Sequence, residues 1–352
     1  MSVFEKPVPR GMGLGSPTQN SALGVPFQPM NHRQDADATE SHGQDARATF
    51  QTRSTTRGQA SAALDRRGFL QVAAATGVGA LAVARGGPAA ATPRGLVDVN
   101  TYLSRWPLRH LPSEDTADLA SRLRRHGVEQ AWVGSIDGLL HRDMATVNAQ
   151  LADECRRYGD GLLVPFGSVN PKLPDWQDDL RRCAEEHHMP GIRLHPNYHG
   201  YTLDDADFAK LLRLAAERGL IVQLALIMED ERAMHPLLRV EPTSVTGLLG
   251  LLKQTSGLRL VLLNSQRVLR AKALADLIAA GEVYVEIAML EGVGGVSNLL
   301  AQVPLNRVLF GSYAPLFYFE SALLKLQESP LSDEQLGAIR CENARRLLAK
   351  NR

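Results

Sequence analysis

An arginine and a histidine stand two residues apart in Gly191-Ile-Arg-Leu-His-Pro-Asn-Tyr-His-Gly200, and a second histidine follows four residues later. Along an extended chain, residues two apart share a face, so Arg193 and His195 point the same way. A guanidinium so placed can clamp a carboxylate with two parallel hydrogen bonds while the imidazole moves a proton beside it. Arg193 can equally form a buried structural ion pair with Glu286 or Glu229. His195 is open to three roles: a packed, hydrogen-bonded core histidine, an acid-base or binding group, or a metal ligand. Pro196 argues against a helix through this stretch, so the spacing of four does not by itself bring His195 and His199 onto one face.

Carboxylates that could partner His195 stand at Glu286 and in the charged run Met228-Glu-Asp-Glu-Arg232. The run reads either as a solvated turn or as the source of Glu229 or Asp230 for an oxygen and nitrogen ligand set with His235, His195 and Glu286. We therefore take His195, Glu286 and Asp230 as candidate catalytic residues. Asn100, Tyr102, Trp106, Arg193, Gln223, Asn264 and Tyr313 are the candidates for holding a small ligand. The aromatics of Gly311-Ser-Tyr-Ala-Pro-Leu-Phe-Tyr-Phe-Glu320 either shape an apolar pocket with Trp106 and Tyr102 or plug the space. Ser312 lacks the Gly-x-Ser-x-Gly elbow of a hydrolase nucleophile. Cys155, Cys183 and Cys341 are odd in number, widely spaced and set in helical patterns, which reads as buried thiols.

These residues need elements to position them. Short apolar runs at 96–100, 130–135, 162–167, 191–195, 220–226, 258–263, 282–287 and 307–311 alternate with stretches of helical periodicity. Eight strands alternating with helices predict an α/β fold of the (β/α)8 TIM-barrel type. That count argues against an open doubly wound sheet. In such a barrel the candidate residues fall at strand ends or in the loops that follow, where ligands bind. Pro165 counts against a central position for the third strand. Neither Gly-x-Gly-x-x-Gly after the first strand nor a phosphate loop occurs.

The chain has 352 residues and a formal net charge of +1, which gives no electrostatic reason to expect nucleic acid. Residues 1–65 carry scattered apolar residues without a period and read as a disordered leader. Arg66 and Arg67, followed by Phe69, Leu70, an apolar run and Ala89-Ala90-Ala91, resemble a twin-arginine export signal over 66–91. The run is too short for a membrane span. Export through Arg66 and Arg67 to the periplasm, with the barrel occupying 92–352, is the resulting expectation.

The ordered set Val97-Asp-Val-Asn-Thr-Tyr102, Gly191-Ile-Arg-Leu-His-Pro196, Leu260-Val-Leu-Leu-Asn264, Val308-Leu-Phe-Gly-Ser-Tyr-Ala-Pro315 and Glu342-Asn-Ala-Arg-Arg-Leu-Leu348 resembles the amidohydrolase-related superfamily. The similarity is to its metal-dependent hydrolases and decarboxylases, and it spans Leu96 to Leu348. It implies hydrolysis or decarboxylation of a small carboxylated or cyclic compound. It also implies metal ligands where this chain has Asn100 and Tyr102, residues near Gln223, Asn264 and Tyr313. Neutral amides and phenols hold Zn²⁺ poorly. We therefore expect no cofactor, with a divalent metal conceivable only at a rebuilt site. A non-catalytic ligand-binding or structural protein on the same barrel is the alternative.

Overall fold

The computed structural model describes residues 95–350. The expected leader and the Arg66-Arg67 export segment lie outside the described residues.

Eight parallel strands run in sequence order around one sheet: β1 (Leu96–Leu103), β2 (Val128–Ser135), β3 (Leu163–Ser168), β4 (Gly191–Leu194), β5 (Ile221–Ala225), β6 (Arg259–Leu263), β7 (Glu282–Glu286) and β8 (Val308–Leu309). The sheet closes on itself at β8 and β1. Val99 N donates to Phe310 O, Tyr102 N to Ala314 O and Tyr313 N to Asn100 O, at 2.7–3.0 Å. The fold is the expected (β/α)8 barrel.

Helices α1 (Thr116–Arg125), α2 (Met144–Gly159), α3 (Trp176–Glu185), α4 (Pro196–His199), α5 (Ala206–Glu217), α6 (Leu248–Gln254), α7 (Ala271–Ala280), α8 (Gly295–Leu300) and α9 (Phe319–Gln327) connect or follow the strands. Asp115 and Asp143 cap α1 and α2 by accepting main-chain N–H groups of the first turn. The last helical stretch is α10 (Asp333–Gly337), a wider π turn over Ala338–Glu342 and α11 (Asn343–Ala349). Ser332 and Gln335 make both bonds of the capping box at its start.

Two expectations about proline need correction. Pro165 lies inside β3, where β3 pairs β2 up to Pro165 and β4 from Phe166 onward. Its missing N–H falls where one ladder hands over to the next. Pro196 begins α4 rather than preventing a helix, because the first helical position has no intrahelical use for an N–H. His199 N consequently donates to His195 O at 3.1 Å, and the two imidazoles stand 6.1 Å apart.

Strand alternation divides the core in two. Leu96, Ile192, Leu194, Val222, Leu224, Leu260 and Leu262 pack outward against the helices. Val97, Val99, Ile221, Ala225, Val261 and Leu263 pack inside the barrel. The inward positions of β4, β5 and β7 carry Arg193, Gln223 and Glu286, all fully buried.

Candidate functional site inside the barrel mouth

Arg193 projects from β4 into the barrel interior with no exposed surface. Its Nε donates to Gln223 Oε1 at 2.8 Å, Nη1 to Thr101 O at 2.5 Å, and Nη2 to Trp132 O at 3.0 Å and Val99 O at 3.3 Å. The guanidinium also lies 4.4 Å from the Tyr102 ring centroid, a cation–π contact. Gly134 makes room for it: an added Cβ there would stand 2.8 Å from Arg193 Cδ. The charge is thus held by main-chain carbonyls, an amide and an aromatic face. The ion pair with Glu286 or Glu229 considered from the sequence does not form.

Glu286 instead receives main-chain donors. Its Oε1 accepts from Asn264 N at 2.6 Å and Asn100 Nδ2 at 3.3 Å, and Oε2 accepts from Ala288 N at 2.5 Å. Asn100 Nδ2 also donates to Asn264 Oδ1 at 2.9 Å, and Asn264 Nδ2 to Ile227 O at 2.8 Å. Burial raises the Glu286 carboxyl, opposed by those same hydrogen bonds. Asp98, which the sequence reading did not single out, ties β1 to β8: Ser312 Oγ donates to its Oδ2 at 2.5 Å and Ser312 N to its Oδ1 at 3.0 Å. Burial pushes this carboxyl up to about 7.

His195 Nε2 stands 3.0 Å from the Tyr102 hydroxyl, while its buried Nδ1 has no hydrogen-bond partner. Burial, with His199 and Arg193 nearby, holds the imidazole well below its ordinary pKa, so it is neutral near pH 7. Tyr313 donates to Met228 O at 2.5 Å, and burial drives its phenol well above the usual range. Tyr102 is raised for the same reason. Trp106, 4 % exposed, packs in one cluster with Tyr102, Met228, Tyr313 and Leu316. The aromatics therefore fill the mouth above Arg193 and His195.

The structure brings together Asn100, Asn264 and Glu286 in one knot, Arg193 with Gln223 and Tyr102 in another, and His195 with Tyr102. Asp230 is not among them. It is paired with Arg232 and Arg267 on the exposed rim, and those donors hold its pKa far below the usual range. Glu229 lies 3.1 Å from Arg109 Nη2, an ion pair without hydrogen-bond alignment. Among the described residues no group of three or more His, Cys, Asp or Glu side chains is placed to hold a metal ion. The rebuilt set of Glu229 or Asp230 with His235, His195 and Glu286 is accordingly not assembled.

The donors present at the implied ligand positions do not fit a divalent metal. Tyr102 and Tyr313 stay protonated, Asn100 and Asn264 bind each other, and a fixed cation already lies against Tyr102 and Gln223, where it repels a second one. Among the described residues three clefts open on the loops that follow the strands. One, of about 370 Å³, lies beside Arg267, Met289, Phe317 and Lys325. Another, of about 450 Å³, lies between the β4 and β5 loops. A third, of about 590 Å³, lies between the loops after β2 and β3, beside Arg142, Asp143, Asp175 and Arg182. None is lined by Arg193, His195 or Glu286.

Arg109, Asp98 and Lys325 were missed from the sequence. The Val-Gly-Ser at the end of β2 is the signal that could have shown how tightly Arg193 is received.

The family profile described as Amidohydrolase matches residues 110–350 and begins past β1. No curated protein matches the chain. Among solved structures, a putative amidohydrolase from Staphylococcus aureus is 14 % identical with a TM-score of 0.56, covering 72 % of this chain and 99 % of that one. The 2,6-dihydroxybenzoate decarboxylase from Rhizobium is 13 % identical with a TM-score of 0.55 over 73 % and 99 %. The dihydroxybenzoic acid decarboxylase from Polaromonas sp. JS666, solved with bound manganese, is 16 % identical with a TM-score of 0.56 over 74 % and 98 %. At these identities the likeness is one of fold.

Proposed function

We propose, from the premise that this chain belongs to the amidohydrolase family, that its barrel centre does not run metal-assisted chemistry and that the protein acts by binding a small carboxylated or cyclic compound. The buried Arg193 guanidinium carries this reading. It is fixed on Thr101 O, Trp132 O, Val99 O and Gln223, among the very positions where the resemblance implies metal ligands. A cation bound there by the protein's own carbonyls does the electrostatic work of holding strand ends together, and it leaves neither an open coordination position nor a free fork for substrate. Elemental analysis of the purified chain, produced with Zn, Mn and Fe available, tests this. We expect well below one equivalent of metal; one equivalent that disappears in His195→Ala would refute it.

A second reading, a hydrolase or decarboxylase using His195 with Glu286 or Asp230, is favoured by one observation. His195 Nδ1 is buried without a partner, which leaves it open to a substrate proton. Glu286 and Asp230 are committed to other donors, which weakens it. Turnover of cyclic carboxylates that is lost in His195→Gln would restore it.

We also propose that residues 1–65 form a leader, that 66–91 direct export through Arg66 and Arg67, and that the mature chain begins near Thr92 and works in the periplasm. The first barrel strand starts at Leu96, so cleavage after Ala91 spares every strand among the described residues. Among the described residues no helix is long and apolar enough to cross a membrane. N-terminal sequencing of exported material is the test, and an intact Met1 or Ser2 would refute the proposal.

A further inference from the structure

The connection from β5 to α6, residues 226–247, is the longest of the loops that follow the strands. Long connections of this kind in a compact domain commonly serve binding. This one folds back beside α4. Asn197 Nδ2 donates to Glu241 O at 3.0 Å, and Thr243 N donates to Leu226 O at 2.8 Å. Between the two loops lies the cleft of about 450 Å³, walled by Pro196, Tyr201, Val240 and Pro242.

Two polar atoms in this wall are unexplained by the fold. The Tyr201 hydroxyl and Thr243 Oγ1 are buried and have no hydrogen-bond partner, and each residue is only 5 % exposed. The Tyr201 ring packs 5.7 Å from Phe208 and 6.3 Å from His199, centroid to centroid. A buried hydroxyl left unpaired costs free energy that a ligand acceptor would return. At the open edge stands Arg239, exposed and with no ion pair to Glu241 or any other carboxylate among the described residues. Its planar fork matches a carboxylate.

Resting on the ligand-binding reading above, we infer that this cleft, and not the barrel centre, is the binding site, and that it takes a small cyclic carboxylate. The ring lies on Pro196, Tyr201 and Pro242, the carboxylate pairs with Arg239, and polar substituents reach Tyr201 and Thr243 once the Val240–Thr243 edge lifts. This edge must move because both hydroxyls are closed from solvent.

Benzoate is the probe, titrated calorimetrically into the full chain, with benzamide as its uncharged counterpart. We expect benzoate to bind, benzamide to bind at least about tenfold more weakly, and Arg239→Gln to weaken benzoate about tenfold. Tyr201→Phe, which removes an atom with no partner in the protein, should fold with undiminished stability and weaken a ring-hydroxylated benzoate more than benzoate itself. Arg267→Gln, in the cleft beside Met289 and Phe317, should leave the affinity unchanged. Binding that survives Arg239→Gln but fails in Arg267→Gln would overturn the site while keeping the ligand-binding reading. No benzoate binding to the unaltered chain at about 10 mM would overturn the site, whereas metal content and turnover judge the wider reading separately.

Discussion

Replacing Arg193 with methionine keeps the apolar stem and removes the fork, so it isolates what the guanidinium does. Of its four acceptors, Val99 O also accepts from Gln223 Nε2 at 2.8 Å and Trp132 O from Thr101 Oγ1 at 3.0 Å. Thr101 O and Gln223 Oε1 lose the arginine donor in the fully buried interior. Stripping a donor from a buried acceptor costs about 1–3 kcal/mol, or about 2–6 kcal/mol for the two. Removing a desolvated charge recovers part of that. We expect a net loss of about 3 kcal/mol, equivalent to a Tm lower by about 6–12 °C in a domain of this size. Urea unfolding followed by fluorescence and by far-UV circular dichroism is the assay, with an unchanged slope as the sign that the same surface is exposed. Arg193→Lys should recover little, because a point charge cannot reach several carbonyls in one plane. An Arg193→Met protein as stable as the parent would refute the argument that the barrel centre is built around this cation.

Gly134→Ala should disturb the same group without removing its charge: the added Cβ meets a pinned side chain at 2.8 Å, and overpacking of this kind costs about 1–3 kcal/mol, measurable in the same unfolding experiment. Asp98 has a native pKa raised from 3.8 to about 7, so between those values the folded protein holds a proton the unfolded chain has released. Stability should therefore fall as pH rises through that window; Asp98→Asn should flatten this decline and gain on the parent toward pH 8, and parallel pH–stability curves would count against it. His195 behaves oppositely, since burial depresses its pKa below 6.5: its contribution is present above pH 6.5 and is lost as pH falls. Nitrogen NMR of the imidazole should show the ring still neutral well below pH 6.5, and a titration centred near 6.5 would contradict the burial argument.

Much of the architecture was legible in the sequence because it rests on local periodicity. Eight apolar runs spaced by helical stretches fix the number of β/α units, and alternation within β4 places Arg193 and His195 on one inward face. The Ser332 and Gln335 pair marks a helix start for equally local reasons. Residue identity alone also shows that amides and phenols stand where the family resemblance implies metal ligands. What the sequence left open were the partners of the buried polar groups, since these depend on which strand ends meet after the barrel closes. Only that closure puts Val99 and Thr101 carbonyls within reach of Arg193, sends Glu286 to the Asn264 and Ala288 amides, and leaves Asp230 among arginines on the rim. Pro196 shows the same limit on a smaller scale: its ring forbids a helix interior but suits a first turn, and the tertiary path of the β4 loop decided which applied. The cleft beside Tyr201 and Thr243 likewise exists because a loop of more than twenty residues folds back over α4, an arrangement set by long-range packing that no periodicity along the chain records.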